Sequence, residues 1–242
     1  MTDSLPIIWD FDGTLLPILP HDSEQTLMLC ACRIGSDRCR AVKRILARLL
    51  TEADRREWFC TDPRRRIYLR LYPWLLYGVS VDLLHRVANE LAAKITPADR
   101  EALLQLKRCG HPMAVVSCGT ADLSERVLRM AGVDDCFDYI AGNRLRIDSG
   151  VIAGMDIRLL NAQSKVRCIL EKGIEPGGFA AVGDGYTDLP LLDRADIAVM
   201  MDPTGKKQRS FGGRGYHFSR SVAQAAEIIM RQCGLSREMI EA

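Results

Sequence analysis

The stretch Leu5-Pro6-Ile7-Ile8-Trp9-Asp10-Phe11-Asp12-Gly13-Thr14 decides how the rest of the chain is read. Its apolar run is short and stops at a carboxylate. A short apolar run bounded by a turn signal fits a strand buried on both faces, and Asp12-Gly13 is such a signal. Two acids then sit just past the carboxyl end of the strand. In an open α/β sheet that is where ligands bind.

Working outward, the pattern changes after this strand. Leu27, Leu29 and Cys30 recur at helical spacing. So do Val42, Ile45, Leu46, Leu49 and Leu50, and later Val81, Leu84, Val87, Ala88 and Leu91. The spacing predicts a helical insert over 18–94, with Pro17, Pro20 and Pro97 near its edges. Beyond it strands and helices alternate. Helices are expected over 98–109, 163–172, 189–194 and 221–231, and strands over 112–116, 137–140, 179–182 and 197–200. Thr120 is placed to cap a helix that ends at Gly132, and Asp148-Ser149-Gly150 to turn a hairpin across 143–154. The fold class expected is α/β. A Rossmann-like parallel sheet would carry helices on both faces, with a core of 1–17 and 95–242 and a small helical cap of 18–94.

Composition excludes several classes. The chain has 242 residues, 48% of them hydrophobic and 26% charged, with a net charge of +2. Those values are ordinary for a globular protein and exclude a disordered or collagen-like chain. The near-neutral balance gives no reason to expect nucleic acid as a partner. No run of about 18 apolar residues exists, so no membrane span is expected. The first residues lack the basic and apolar regions of a secretory signal, and nine cysteines read as free thiols in a reducing cytoplasm. Cys30, Cys32 and Cys39 lie close together without a paired C-x-x-C, so packing is expected of them rather than metal binding.

Four polar clusters fall at equivalent places in this pattern. They are Asp10 with Asp12, Ser117 at a strand end, Lys165 in the first turn of a helix, and Asp184 with Asp188 after the strand at 179–182. One pocket would hold four carboxylates, an ammonium and a hydroxyl. Four carboxylates cannot all ionise together without a compensating cation. Asp10 and Asp184 suit Mg²⁺, a hard ion that takes one or two carboxylates plus phosphate oxygens. Gly13, Gly119, Gly183 and Gly185 leave backbone amides open to phosphate. These parts suit phosphoryl transfer, where catalysis is mostly positioning and charge stabilisation.

Asp10-Phe11-Asp12-Gly13-Thr14, Ser117 in Val-Val-Ser-Cys-Gly-Thr, Lys165 and Gly183-Asp184-Gly185-Tyr186-Thr187-Asp188 resemble the four motifs of the haloacid dehalogenase superfamily. Residues 115–200 are most similar to its phosphoserine-phosphatase-like branch. The resemblance implies a Mg²⁺-dependent phosphatase of small phosphomonoesters. Asp10 would be the nucleophile that forms an aspartyl phosphate, and Asp12 the general acid and base. Gly13, Ser117, Cys118, Gly119 and Lys165 would hold the phosphate. Asp10, the Asp12 carbonyl, Asp184 and Asp188 would hold the metal. Dehalogenases lack an acid two residues after the nucleophile, so Asp12 points to an alkoxide leaving group, which needs a proton. The alternative is a non-hydrolytic, receiver-like phosphoryl-binding module. Receivers, however, place their phosphorylated Asp after a later strand, in a shorter chain.

The insert says less. Arg55, Arg56, Arg64, Arg65 and Arg66 read as a solvated basic face, with contact to an anionic substrate group as the alternative. Trp58, Tyr68, Tyr72, Trp74 and Tyr77 read as core packing. The branch resembled carries a Glu soon after the first motif that binds a substrate amine, and Glu24 is the nearest candidate. A small phosphorylated metabolite is the expected partner.

Overall fold

The computed structural model describes residues 4–34, 40–56, 58–59 and 61–234. Its strands are β1 (Ile7–Trp9), β2 (Met113–Thr120), β3 (Tyr139–Asp148), β4 (Val151–Asp156), β5 (Ala180–Gly183), β6 (Ile197–Met201) and β7 (His217–Ser219). They form one sheet of order β4-β3-β2-β1-β5-β6-β7, parallel throughout except for the β3–β4 hairpin. Thus β1 is the central strand, although it comes first in the chain. Ile7 and Trp9 pack into one apolar layer and Ile8 into the other, all three fully or nearly fully buried. This is the double burial that an uninterrupted apolar run requires.

Four helices follow β1: α1 (Ser23–Ala31), α2 (Arg40–Arg55), α3 (Asp62–Leu76) and α4 (Val81–Ala92). Then come α5 (Pro97–Arg108), α6 (Ala121–Ala131), α7 (Ala162–Leu170), α8 (Leu189–Leu192), α9 (Lys207–Phe211) and α10 (Val222–Gln232). Leu103, Leu106, Val127, Leu128, Ala225 and Ile229 bring α5, α6 and α10 onto one face of the sheet. Val166, Ile169, Leu191 and Leu192 bring α7 and α8 onto the other. The inserted helices extend the first layer, because Leu27, Tyr72, Leu84 and Val87 belong to the same apolar cluster.

The insert is also stitched to the hairpin by backbone. Gly78 N–H donates to Ile152 O at 2.8 Å, Ile152 N–H to Val79 O at 2.9 Å, and Val81 N–H to Gly150 O at 3.0 Å. The hairpin turns on Ser149 and Gly150, both at positive φ (48° and 80°). That pair of left-handed residues is what a two-residue turn demands.

Several expectations shift. β2 runs to Thr120 rather than ending near Val116, with a register irregularity between those residues. β3 starts at Tyr139 and continues to Asp148. The short elements β7 and α9 carry little periodicity and were not expected. Thr120 stands at the N-cap of α6, but its side chain makes no capping bond; its hydroxyl donates to Glu24 Oε1 at 2.7 Å instead. Of the five aromatic residues expected inside, only Tyr68 and Tyr72 are buried, stacked with ring centroids 5.7 Å apart. Trp58, Trp74 and Tyr77 are exposed. Seven cysteines are free thiols; Cys39 and Cys60 lie outside the described residues.

Candidate active site

The carboxyl ends of β1, β2 and β5 open into one cavity of about 600 Å³, roofed by the inserted helices. Asp10, Asp12, Ser117, Cys118, Gly119, Lys165 and Asp184 line its core side, and Asp22, Glu24, Asp54, Asp62 and Arg65 its roof. Asp10 is fixed by its own backbone, whose N–H donates to Val182 O at 2.9 Å.

Lys165 lies at the floor. It sits in the first turn of α7, where Asn161 caps the helix through Ser164 N at 2.9 Å. Its Nζ donates to Asp10 Oδ1 at 2.5 Å and to Asp188 Oδ1 at 2.6 Å, and the whole side chain is buried. Burial opposes the charge on Lys165, yet Asp10 and Asp188 outweigh it and hold the ammonium protonated. Asp10 feels the reverse: burial pushes its carboxyl up, Asp188 adds to that, and Lys165 pulls back.

Carboxylate oxygens of Asp10, Asp184 and Asp188 all lie within 4.8 Å of one another. Three hard oxygen donors at that spacing fit a small divalent cation such as Mg²⁺. Lys207, which the sequence reading missed, adds a second ammonium: its Nζ donates to the Asp184 backbone oxygen and to Oδ2 at 3.0 Å. It follows the carboxyl end of β6, so the strand-end rule that located the other residues also applies to it.

The four acids do not converge as one cluster. The Asp12 carboxylate turns toward the insert, accepting from Ser23 N at 2.8 Å and Ser23 Oγ at 2.7 Å at the start of α1. Burial still lifts it to about 6, against those two hydrogen bonds. Only its backbone carbonyl remains for the metal role that the resemblance implies. The Gly13 amide, expected to face phosphate, instead donates to Leu16 O at 2.7 Å. Gly13 matters for another reason: its φ is +81° and a Cβ there would stand 2.3 Å from Asp184 Oδ2. Gly183 is constrained likewise, since a Cβ would meet Asp188 at 2.4 Å. The Gly119 amide is also engaged, donating to Ser117 Oγ at 3.1 Å. That leaves the Ser117 hydroxyl hydrogen to point at a ligand.

Asn143, at the start of the expected hairpin, lies outside the four motifs. Fully buried, it donates to Cys118 O at 2.8 Å and Leu159 O at 3.2 Å, and accepts from Arg158 N and Leu159 N. One amide thus holds the end of β2, beside Ser117, against the segment leading to Lys165. All four partners are backbone groups, and burial makes an unpaired one costly.

Arg65 departs from the expected solvated face. Its guanidinium lies 3.7 Å from Glu24 Oε2, donates to Cys118 O at 3.2 Å and stacks 4.7 Å over the Tyr68 ring. Burial lowers its affinity for a proton, but Glu24 overrides that and the net shift is upward. Glu24 itself is 4% exposed, and burial lifts it to about 7 against the pull of Arg65 and Thr120. A carboxyl raised from 4.5 to about 7 makes folding less favourable as pH rises through that window. The cost saturates above pH 7 at about 3 kcal/mol. Glu24→Gln keeps an oxygen for Thr120 and removes the titration. Its stability relative to wild type should therefore increase between pH 5 and pH 8 by up to about 3 kcal/mol. Urea unfolding at the two pH values measures this, and parallel curves would refute it.

The profile of the haloacid dehalogenase-like hydrolase family matches residues 7–193. The chain belongs to that family. Within it, the similarity is to the phosphoserine-phosphatase-like branch. A phosphoserine phosphatase of Albidiferax ferrireducens is 26% identical over 98% of this chain and 89% of its own length. One from Archaeoglobus fulgidus is 33% identical over 52% of this chain; that match spans only 36% of the relative. Among solved structures, a substrate-bound phosphoserine phosphatase complex covers 96% of this chain and 99% of its own, with a TM-score of 0.69 at 17% identity. A probable phosphoserine phosphatase from Vibrio cholerae gives a TM-score of 0.66 over 96% of this chain and 67% of its own, at 20% identity. The likeness at these identities is one of fold.

Proposed function

We propose that the protein is a phosphomonoesterase that releases inorganic phosphate from a small phosphorylated amino alcohol through an aspartyl phosphate on Asp10. The observation that carries this reading is the buried contact of Lys165 with Asp10 and Asp188, beside Asp184, at the floor of a cavity. Asp10 Oδ attacks phosphorus as the bond to the leaving oxygen breaks. Lys165 and the Ser117 hydroxyl hold phosphoryl oxygens through that change. Asp12 gives its proton to the departing alkoxide, then takes one from the water that attacks the aspartyl phosphate. A divalent cation on Asp10, Asp184 and Asp188 supplies charge stabilisation of the phosphoryl oxygens when bound. The helices of 18–94 act as a cap that keeps water out until the alcohol has left.

The roof supports an ammonium on the substrate. On the roof of the cavity, the four acids Asp22, Glu24, Asp54 and Asp62 outnumber the cation Arg65. A substrate amine beside Glu24 would favour its ionised form. Phosphoserine, named for the relatives, carries both an amine for Glu24 and a carboxylate for Arg65, and is the first substrate to test. The experiment is phosphate release from phosphoserine, phosphoethanolamine and p-nitrophenyl phosphate, with Mg²⁺ and after EDTA. Release that requires Mg²⁺ is expected from at least the aryl ester and one amine. No release from any of the three would overturn the reading.

A further inference from the structure

The second inserted helix presents its apolar side to solvent. Along α2, Ala47, Leu50 and Thr51 face inward, whereas Val42, Ile45 and Leu49 are 60%, 60% and 62% exposed. Their i, i+3, i+7 spacing makes them one stripe. The neighbouring α3 adds Ile67 and Trp74, and Tyr77 follows at its end, all exposed. The two helices meet where the Lys43 ammonium lies 5.4 Å over the Trp74 ring.

Cations frame this apolar surface. Residues 41–76 contain nine Lys and Arg against four Asp and Glu, a surplus of five in a chain whose total is +2. Arg48 and Arg55 flank the stripe on α2, and Arg66 and Arg70 stand on the outer side of α3, all exposed. Glu52, at the edge of the stripe, is neutralised by Arg56 at 2.7 Å.

We propose that this face of α2 and α3 adsorbs to an anionic lipid surface. An apolar stripe flanked by arginines, with Trp and Tyr beside it, is the composition of a helix that lies in a membrane interface. No helix among the described residues is long and apolar enough to cross a membrane, and adsorption requires none. A second copy is the poorer occupant, because self-pairing would bring the arginine rims together. Nucleic acid would meet the cations but leave Val42, Ile45 and Leu49 without a partner. Asp54 of the same helix lines the cavity, about 140° around the axis from Leu49 at roughly 100° per residue. Adsorption therefore leaves the cavity accessible, and the proposal does not rest on which phosphoester is cleaved.

Flotation of the full chain with vesicles tests this. Binding is expected to phosphatidylcholine vesicles containing phosphatidylglycerol, and not to phosphatidylcholine alone. Raised salt should weaken it, since screening shortens the reach of the cations. Ile45→Glu with Leu49→Glu should weaken partition by at least about tenfold. Hydrolysis of a soluble phosphoester should stay within about twofold, because neither residue touches the cavity. Arg48→Gln with Arg70→Gln should cost roughly fivefold per cation at low salt. Absence of vesicle binding, equal binding to neutral vesicles, or unchanged binding by both variants would each overturn the proposal. So would a dimer in light scattering that Leu49→Glu disperses, which would make the face an interface between copies. Retention on polyglutamate without vesicle binding would reassign it to an acidic protein.

Discussion

Asp10→Asn is expected to remove phosphate release, with kcat falling on the order of 10⁴-fold or more, because the new bond to phosphorus is proposed to form on this carboxylate. The amide is nearly isosteric, so the contact with Lys165 Nζ, now 2.5 Å, can persist through the remaining oxygen and the fold should survive. Asp12→Asn should behave differently. A positioned general acid contributes about 10²–10⁴-fold, so residual turnover of an alkyl ester is expected. With p-nitrophenyl phosphate the leaving group scarcely needs a proton, and the first step should be almost spared. Hydrolysis of the aspartyl phosphate still needs a base. Asp12→Asn should therefore give a burst of one p-nitrophenolate per chain, followed by slow turnover, with phosphoryl mass trapped on the peptide containing Asp10. Mass spectrometry of the quenched enzyme and stopped-flow absorbance measure these outcomes. Activity surviving in Asp10→Asn but lost in Asp12→Asn would remove Asp10 from the role of nucleophile.

The distinct behaviour of these two neighbours shows how far the sequence could be read. The placement of Asp10 follows from a periodicity rule: Ile7-Ile8-Trp9 is apolar on both faces, so it lies mid-sheet and its end faces the ligand side. The same rule finds Ser117, Asp184 and Asp188 and extends to Lys207 beyond β6, whose place in the short α9 carries no periodic signal of its own. What cannot be read is direction. Asp12 turns toward the insert because Ser23 N and Oγ meet its carboxylate, a contact set by the path of residues 13–22 rather than by local pattern. Gly13 and Gly119 were assigned to phosphate by type, but their amides are spent on Leu16 O and Ser117 Oγ. Counting available donors needs coordinates.

The insert was hardest for a related reason. Apolar spacing says that a helix has an apolar side, not that anything covers it. Val42, Ile45 and Leu49 recur at helical spacing yet are exposed, while Arg65 reads as solvated and is enclosed by Glu24, Cys118 and Tyr68. Tertiary packing decided both cases against the composition of the segment.

Lys165→Met should lower both stability and rate. The side chain is 1% exposed, and its only hydrogen bonds among the described residues are to Asp10 and Asp188. Removing it leaves two buried carboxylates facing each other without compensation. Breaking a buried ion pair in this way costs about 3–5 kcal/mol. For a chain of this size that is roughly a 10 °C fall in Tm. Loss of one preorganised donor to the phosphoryl oxygens costs about 10²–10³ in kcat. The two effects separate in a double variant. Adding Asp188→Asn to Lys165→Met removes the repulsion, so much of the lost Tm should return while kcat stays low. Added Mg²⁺ provides an independent readout. With its competing ammonium gone, the cluster of Asp10, Asp184 and Asp188 should raise Tm on Mg²⁺ addition more than wild type does. Calorimetry with and without Mg²⁺ measures this. A Lys165→Met variant with wild-type Tm and no larger response to Mg²⁺ would mean that the lysine does not offset the acids around it.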